Sequence, residues 1–248
     1  TAASLFAKVG PRGLYNIVQC GGKFGGVVTS QVGRVHYGGI RLIGTTGNDP
    51  SESMKTIPAS GEIRPNDKID VIGAGGPMGV MHVIRNLCQG VKGVTVYAGD
   101  LSEERLAILT RIAEPLAQKN GVHYVPYNPQ KNPPKAAFNY VSLMAPIPAL
   151  VASAVVHAGE KAIINIFAGI AATVSGDIDL DAYIAKKLYF VGTSGSVLED
   201  MKQVLAKVEA GRLDTNLSMA AVTSLDGAVE GIRAVEKQLI PGKIVVYP

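Results

Sequence analysis

One stretch, residues 68–88, constrains this chain more than any other. A short apolar run, Lys68-Ile69-Asp70-Val71-Ile72, leads directly into Gly73-Ala74-Gly75-Gly76-Pro77-Met78-Gly79. Apolar residues then recur at helical spacing over 78–88, and Gly90 follows. The order predicts a buried strand, a tight glycine turn and a helix in direct succession. From there strands and helices alternate. Strands are expected at 94–98, 123–126, 140–144, 162–167 and 188–191, and a last one at 243–247. Helices are expected at 149–157, 199–210 and 225–238. A further helix starts at the N-cap Ser102, with Glu103 and Glu104 in its first turn, and stops near Lys119 before Asn120-Gly121. Such alternation implies parallel strands joined by right-handed crossovers. The expected class is an α/β, doubly wound parallel sheet with helices on both faces.

The glycine turn carries the chemistry. One glycine permits the tight turn, a second keeps side chains away from an approaching pyrophosphate, and a third lets the helix pack closely. The helix N-terminus offers free N–H groups and partial positive charge to phosphates. Here the spacing is G-x-G-x-x-x-G, with Gly76 as an extra residue relative to the common G-x-G-x-x-G. The second strand ends at Gly99-Asp100, and Asp100 lies 21 residues beyond Gly79. A carboxylate there accepts the ribose hydroxyls of an adenosine and repels a 2′-phosphate, so NAD is favoured over NADP. Arg105 is close enough in sequence to reach a 2′-phosphate, which keeps NADP as the less favoured cofactor. The competing reading of Asp100 is a helix-start aspartate ahead of Ser102. Together these features make the fold Rossmann-type.

The first 60 residues repeat the end of that pattern. Asn16-Ile17-Val18 matches Asn165-Ile166-Phe167. The run 40–47 (IRLIGTTG) matches 188–195 (LYFVGTSG), and Met54-Lys55 echoes Met201-Lys202. The order is kept and the offset is nearly constant, which reads as an internal repeat. The domains expected are therefore 1–60, a partial Rossmann-like repeat packed on the main domain, and 61–248, the dinucleotide-binding domain. Residues 58–67, rich in Pro, Gly, Ser and Asn, form the joining turn region.

Composition narrows the classes. With 248 residues and 47% hydrophobic content, the chain can bury a core without staples. A net charge of +4 without basic runs makes nucleic acid a poor partner. Residues 143–159 are the greasiest, but Pro146 and Pro148 interrupt them, short of the ~20 apolar residues of a membrane span. Cys20 and Cys88 make neither a metal spacing nor a disulfide framework and are expected to be buried thiols. No signal peptide precedes Thr1, so the expected setting is soluble and cytoplasmic. The chain starts at Thr1 rather than Met, consistent with a missing upstream part.

Residues 69–105, with Ile-Gly-Ala-Gly-Gly-Pro-Met-Gly and then Gly-Asp-Leu-Ser-Glu-Glu-Arg, resemble the cofactor domain of medium-chain alcohol and polyol dehydrogenases. They are most similar to the sorbitol dehydrogenase-like or sorbose-1-phosphate reductase-like branch. The segments 195–211, 225–228 and 242–246 resemble that family's closing part, so the likeness covers roughly 62–248. The resemblance implies NAD(P)-dependent interconversion of a secondary alcohol, such as a sugar alcohol or sugar phosphate, with its ketone. It places the pyrophosphate at Gly73, Gly75, Gly76, Pro77, Met78 and Gly79, and the adenosine ribose at Asp100. Ala145 falls near the adenine side. Phe167, Ala168 and Gly169, then Gly192, Thr193 and Ser194, fall near the nicotinamide. Strand carboxyl ends are where an open parallel sheet binds its ligand, which supports the same set. The family also carries a β-rich zinc domain, and no Cys-His metal spacing occurs here. Zinc is expected only if such a domain is present elsewhere, and no catalytic residue is assigned. Family members often pair a last strand with a second chain, which makes a homodimer an expectation.

Tyr183-x-x-x-Lys187 has the spacing of a short-chain reductase pair, yet its place after the fifth strand favours an ordinary amphipathic helix. His82 on the glycine-turn helix, His36 as an acid or base, and Arg34 and Arg41 as sugar-phosphate ligands all have simpler packing or surface readings. Two alternatives to a dehydrogenase stay open: a non-catalytic dinucleotide sensor, and another Rossmann enzyme such as a methyltransferase.

Overall fold

The computed structural model describes every residue except Thr1, Thr193, Gln238 and Pro241. The chain order is α1 (Ala2–Phe6), β1 (Leu14–Val18), β2 (Val28–Ser30), α2 (Gly33–Gly38), β3 (Arg41–Thr45), α3 (Pro50–Met54) and β4 (Lys68–Ile72). Next come α4 (Pro77–Leu87), β5 (Thr95–Gly99), α5 (Glu103–Asn120), β6 (His123–Tyr127), β7 (Phe138–Leu143), α6 (Pro148–His157) and β8 (Ala158–Ile166). The chain closes with β9 (Gly176–Ile178), α7 (Leu180–Ala185), β10 (Tyr189–Val191), α8 (Leu198–Glu209), β11 (Met219–Thr223), α9 (Ala228–Glu236) and β12 (Lys243–Val246).

Six strands form a parallel sheet in the order β10-β8-β7-β4-β5-β6. Chain order therefore runs outward from β4 on one side and from β7 on the other, the doubly wound arrangement of a Rossmann-type fold. Parallel neighbours need crossovers, and α4, α5 and α6 supply them. Helix α4 buries Val80, Val83, Ile84 and Leu87, one stripe at helical spacing. Full burial of each such side chain is worth about 1.5–3 kcal/mol, so a charge at fully buried Val83 would remove the docking of this helix. Helix α5 begins as expected, with Ser102 Oγ accepting from Arg105 N, and ends on left-handed Gly121.

By its contacts the chain divides into two compact units. One comprises Thr1–Ile63, Asp67–Asp70 and Lys135–Gly195, and the other Arg64–Asn66, Val71–Pro134 and Ser196–Pro248. In the first, β1 pairs parallel with β3, and β2 pairs antiparallel with β9. The sequence patterns do not mark β2 or β9, because each is only three residues long, whereas α7 is the short helix expected at Tyr183. In the second, β12 pairs parallel with β11 in a separate two-stranded sheet. Strand β11 carries no sequence signal of its own, and it gives β12 a partner within its own unit. Cys88 is buried as expected, whereas Cys20 is exposed at a positive φ of 50° beyond the end of β1, so the expectation of two buried thiols fails there. Among the described residues no helix is long and apolar enough to cross a membrane.

Candidate functional site

The glycine turn sits between β4 and α4, as the sequence requires. Its first residue, Gly73, has φ 84°, a left-handed conformation that glycine adopts without strain. Gly73 N and Ala74 N both donate to Gly99 O, at 2.9 and 3.0 Å, which ties the turn to the end of β5. A Cβ on Gly79 would collide with Gly73 O and lie 2.6 Å from Ala74 Cα, so only glycine lets α4 close onto the turn. A Cβ on Gly75 would meet Arg105 Cβ at 2.6 Å and Asp100 Oδ2 at 3.0 Å. At Gly76 the nearest atom would be Gly73 O at 3.6 Å, an ordinary contact. The three glycines under geometric demand are therefore 73, 75 and 79, and Gly76 is the dispensable extra residue. Gly76 is also the N-cap of α4 and Pro77 follows it at the helix start, with no side chain capping the end. The first-turn N–H groups of Met78 and Gly79 face out of the helix N-terminus, the arrangement that suits an anion.

Asp100 is held in place by backbone donors. Its Oδ2 accepts from Gly75 N and its Oδ1 from Ser102 N, both at 2.9 Å. Asp100 thus buttresses the turn into α5, the helix-start reading, and also touches the glycine turn itself. Each carboxylate oxygen keeps a further lone pair for a hydroxyl donor. Asp100 N donates to Tyr127 O at 3.2 Å, and the Tyr127 ring fills the space a Gly99 side chain would need. The sequence reading missed Tyr127. Its only trace there is the glycine directly before the acidic residue. Arg105 sits on the first turn of α5 with its Cβ against Gly75.

The other predicted residues belong to the first unit. Ala145 follows β7, and its carbonyl accepts from Ile147 N at 2.8 Å. Phe167 follows β8, Ala168 N donates to Leu143 O at 2.8 Å, and Gly169 is exposed. Gly192 is buried directly after β10, Ser194 is exposed, and Thr193 lies outside the described residues. Helix α2 packs on this group. His36 donates through Nδ1 to Ile166 O at 3.1 Å, and its ring meets Phe167 edge-on at 6.2 Å between centroids. A Cβ on Gly169 would lie 3.1 Å from the Tyr37 hydroxyl. A polar cleft of about 440 Å3 is lined by Arg41, Ser60, Glu62, Asn165, Tyr189 and Gly192 among others.

The remaining candidates resolve simply. Tyr183 is fully buried, donates to Leu42 O at 2.8 Å and accepts from Phe190 N at 2.9 Å. Burial pushes its phenol far above the ordinary value, so it serves packing and not proton transfer. His82 donates through Nδ1 to Met78 O at 2.8 Å, and burial lowers its pKa below 6.5. Arg34 donates to the Phe6 and Val9 carbonyls and closes the N-terminal helix. Arg41 donates to Gly192 O at 3.3 Å. Among the described residues no group of three or more His, Cys, Asp or Glu is placed to hold a metal ion.

No family model matches the chain. It is 25% identical over 183 residues, 68% of its length, to the uncharacterized protein YggP of Escherichia coli strain K12, of which that match covers 43%. Among solved structures it is similar to 2R,3R-butanediol dehydrogenase from Bacillus subtilis, with TM-score 0.61 and 19% identity over 75% of this chain and 52% of that one. It is equally similar to a short chain alcohol dehydrogenase (rspB) from Escherichia coli CFT073 complexed with NADH, with TM-score 0.61, 19% identity, and 75% and 54% coverage. The alcohol dehydrogenase TADH from Thermus sp. ATN1 follows with TM-score 0.59 and 20% identity, again over 75% and 54%. The chain thus spans about half the length of the relatives it matches. At these identities the likeness establishes the backbone architecture: the chain has the Rossmann-type fold of alcohol dehydrogenase structures.

Proposed function

We propose that this chain is the dinucleotide-binding portion of an alcohol or polyol dehydrogenase, one that interconverts a secondary alcohol and its ketone. The observation that carries the reading is the turn at residues 73–79, in which Gly73, Gly75 and Gly79 are each required by geometry and Gly75 bonds Asp100. In this reading the turn from Gly75 to Gly79 receives the pyrophosphate, with Met78 and Gly79 offering the N–H groups of the helix start, since Pro77 has none and Gly75 N is given to Asp100. Asp100 accepts the adenosine ribose hydroxyls, and its charge disfavours a 2′-phosphate. Arg105 borders that position. The bound nicotinamide dinucleotide supplies the hydride acceptor or donor. Ala145 borders the adenine, and Phe167, Ala168, Gly169, Gly192 and Ser194 border the nicotinamide. The substrate class, a sugar alcohol or sugar phosphate, rests on the sequence resemblance, and zinc enters only where a domain that carries it is present. No proton or metal step is assigned to residues described here.

Titration calorimetry with NAD, NADP and S-adenosylmethionine tests the reading. NAD is expected to bind more tightly than NADP, and S-adenosylmethionine not at all. Failure of both dinucleotides to bind would overturn the cofactor assignment, and preference for NADP would overturn the role of Asp100. Binding of S-adenosylmethionine instead would favour the methyltransferase alternative.

A further inference from the structure

The internal repeat has a geometry that the sequence comparison alone does not contain. Asn16 of β1 pairs with Ile43 of β3, and Asn165 of β8 pairs with Val191 of β10. These are the residues that the repeat aligns, so both strand pairs share one register. The short strands β2 and β9 run antiparallel, with Thr29 opposite Asp177. Thr29 is separated from Asp177 by as many positions as Arg41 from Tyr189 and Gly44 from Gly192. The two strands therefore cross at equivalent residues, as strands related by a two-fold axis do.

The packing is reciprocal in the same sense. A Cβ on Gly192 would lie 2.9 Å from Ile166 O and 3.0 Å from His36 Cα. A Cβ on Gly44 would lie 3.0 Å from Ile17 O and 2.7 Å from Ile184 Cγ1. His36 of α2 and Ile184 of α7 are repeat equivalents, and each presses on the other half's glycine. The helix starts reciprocate too. Asp181 of α7 accepts from Phe24 N and Gly25 N beyond β1, each at 3.0 Å. Its equivalent, Gly33 of α2, lies so close to the Ile170 and Ala171 carbonyls beyond β8 that a Cβ would clash.

We infer that residues 14–55 act as a built-in second protomer, occupying the two-fold face beside β9 and β10 that a second copy of this fold would otherwise pair with. The partner this surface fits is the chain's own repeat, and the β2–β9 contact does not form between chains. If the proposed cofactor reading holds, this partner also walls the nicotinamide side with His36 and Tyr37. That consequence rests on the cofactor reading, whereas the two-fold contact does not.

Paired cysteines test the contact in the full chain. Opposed Cα atoms of an antiparallel pair lie about 4.5–5.5 Å apart, within the span of about 4.4–6.8 Å that a disulfide bridges. The variant Thr29→Cys/Asp177→Cys, with exposed Cys20→Ser, is oxidised mildly and run without reductant. The expected product is a crosslink within one chain at every protein concentration. Covalent dimers would overturn the inference, and so would thiols that stay free in a folded variant. Hydrogen exchange on the unaltered chain gives a second reading that needs no variant. Protection of amides 28–30 and 176–178 is expected to be independent of dilution, and protection lost on dilution would overturn the inference. Neither measurement depends on dinucleotide binding, so a failed calorimetric test leaves it intact.

Discussion

The two strand pairs β1–β3 and β8–β10 share a register but differ in how their polar groups are used. At the first pair, Asn16 is bonded twice, donating to Pro50 O at 3.1 Å and accepting from Ser53 Oγ at 2.8 Å. Thr45 donates to Glu52 at 2.7 Å, and Asp181 collects the side chain of Gln19 and two backbone N–H groups. At the second pair the equivalent Asn165 makes a 3.5 Å contact with the Tyr140 hydroxyl and faces the polar cleft. Gly169 and Ser194 are exposed at its end. One backbone pattern thus serves as a sealed wall in one place and as an open edge in the other. What separates them is whether the neighbouring segment, α3 in the first case, satisfies the polar side chains locally.

The sharpest way to break the comparison is at its two glycines. Gly192→Ala sets a methyl group against backbone on both sides, Ile166 O and His36 Cα, and is expected to cost about 3 kcal/mol. Gly44→Ala meets a side chain on one side, Ile184, which can shift, so about 1–2 kcal/mol is expected. Urea unfolding midpoints measure both. Ile184→Ala should partly rescue Gly44→Ala, and no side-chain change at His36 should rescue Gly192→Ala. Equal losses at both glycines would mean that the two halves tolerate strain alike.

A smaller effect separates the asparagines. Asn16→Ala removes two hydrogen bonds while Ser53 Oγ keeps its 2.8 Å bond to Pro50 O, and is expected to cost about 1 kcal/mol, whereas Asn165→Ala should cost less than about 0.5 kcal/mol. The same unfolding midpoints decide this, and a reversed order would contradict the contrast between sealed and open pairs.

The smallest effect is a local response to acid. The N–H groups of Gly25 and Phe24, then Gln19 and Lys23, hold the Asp181 carboxyl below its ordinary value of 3.8. A lowered folded-state value means that the contribution is complete above 3.8 and is lost as pH falls below it. Hydrogen exchange should show the amides of Phe24 and Gly25 losing protection in that range, while the loop beyond β8 does not respond, because Gly33 replaces the carboxylate there. Equal response of both loops would show that Asp181 does not set the difference.

Much of this was legible in the sequence. The turn at 73–79, the Ser102 cap, the Gly121 stop and the repeat itself all follow from local rules, since a glycine at positive φ or a capping hydroxyl acts within a few residues. The residues around the site were less legible. Tyr127 reaches Asp100 from the next strand, and His36 and Tyr37 reach Phe167 and Gly169 from another part of the chain. Such contacts leave no periodicity to read. The short strands β2 and β9 had no signal either, because three residues cannot display an alternation.

By itself the sequence determined the longer strands and helices, that a glycine-rich turn is followed by an acidic residue at the end of the next strand, and that one pattern occurs twice. Only the tertiary structure decided that Gly73, Gly75 and Gly79 are the constrained glycines while Gly76 is not, because Gly73 sits at positive φ, Gly75 meets Asp100 and Arg105, and Gly79 closes onto Gly73 and Ala74. Only the tertiary structure showed that the repeat folds back on its counterpart through a reciprocal contact. A repeat in sequence records similarity of local forces, and the placement of its two copies is set by which faces each can bury against the other.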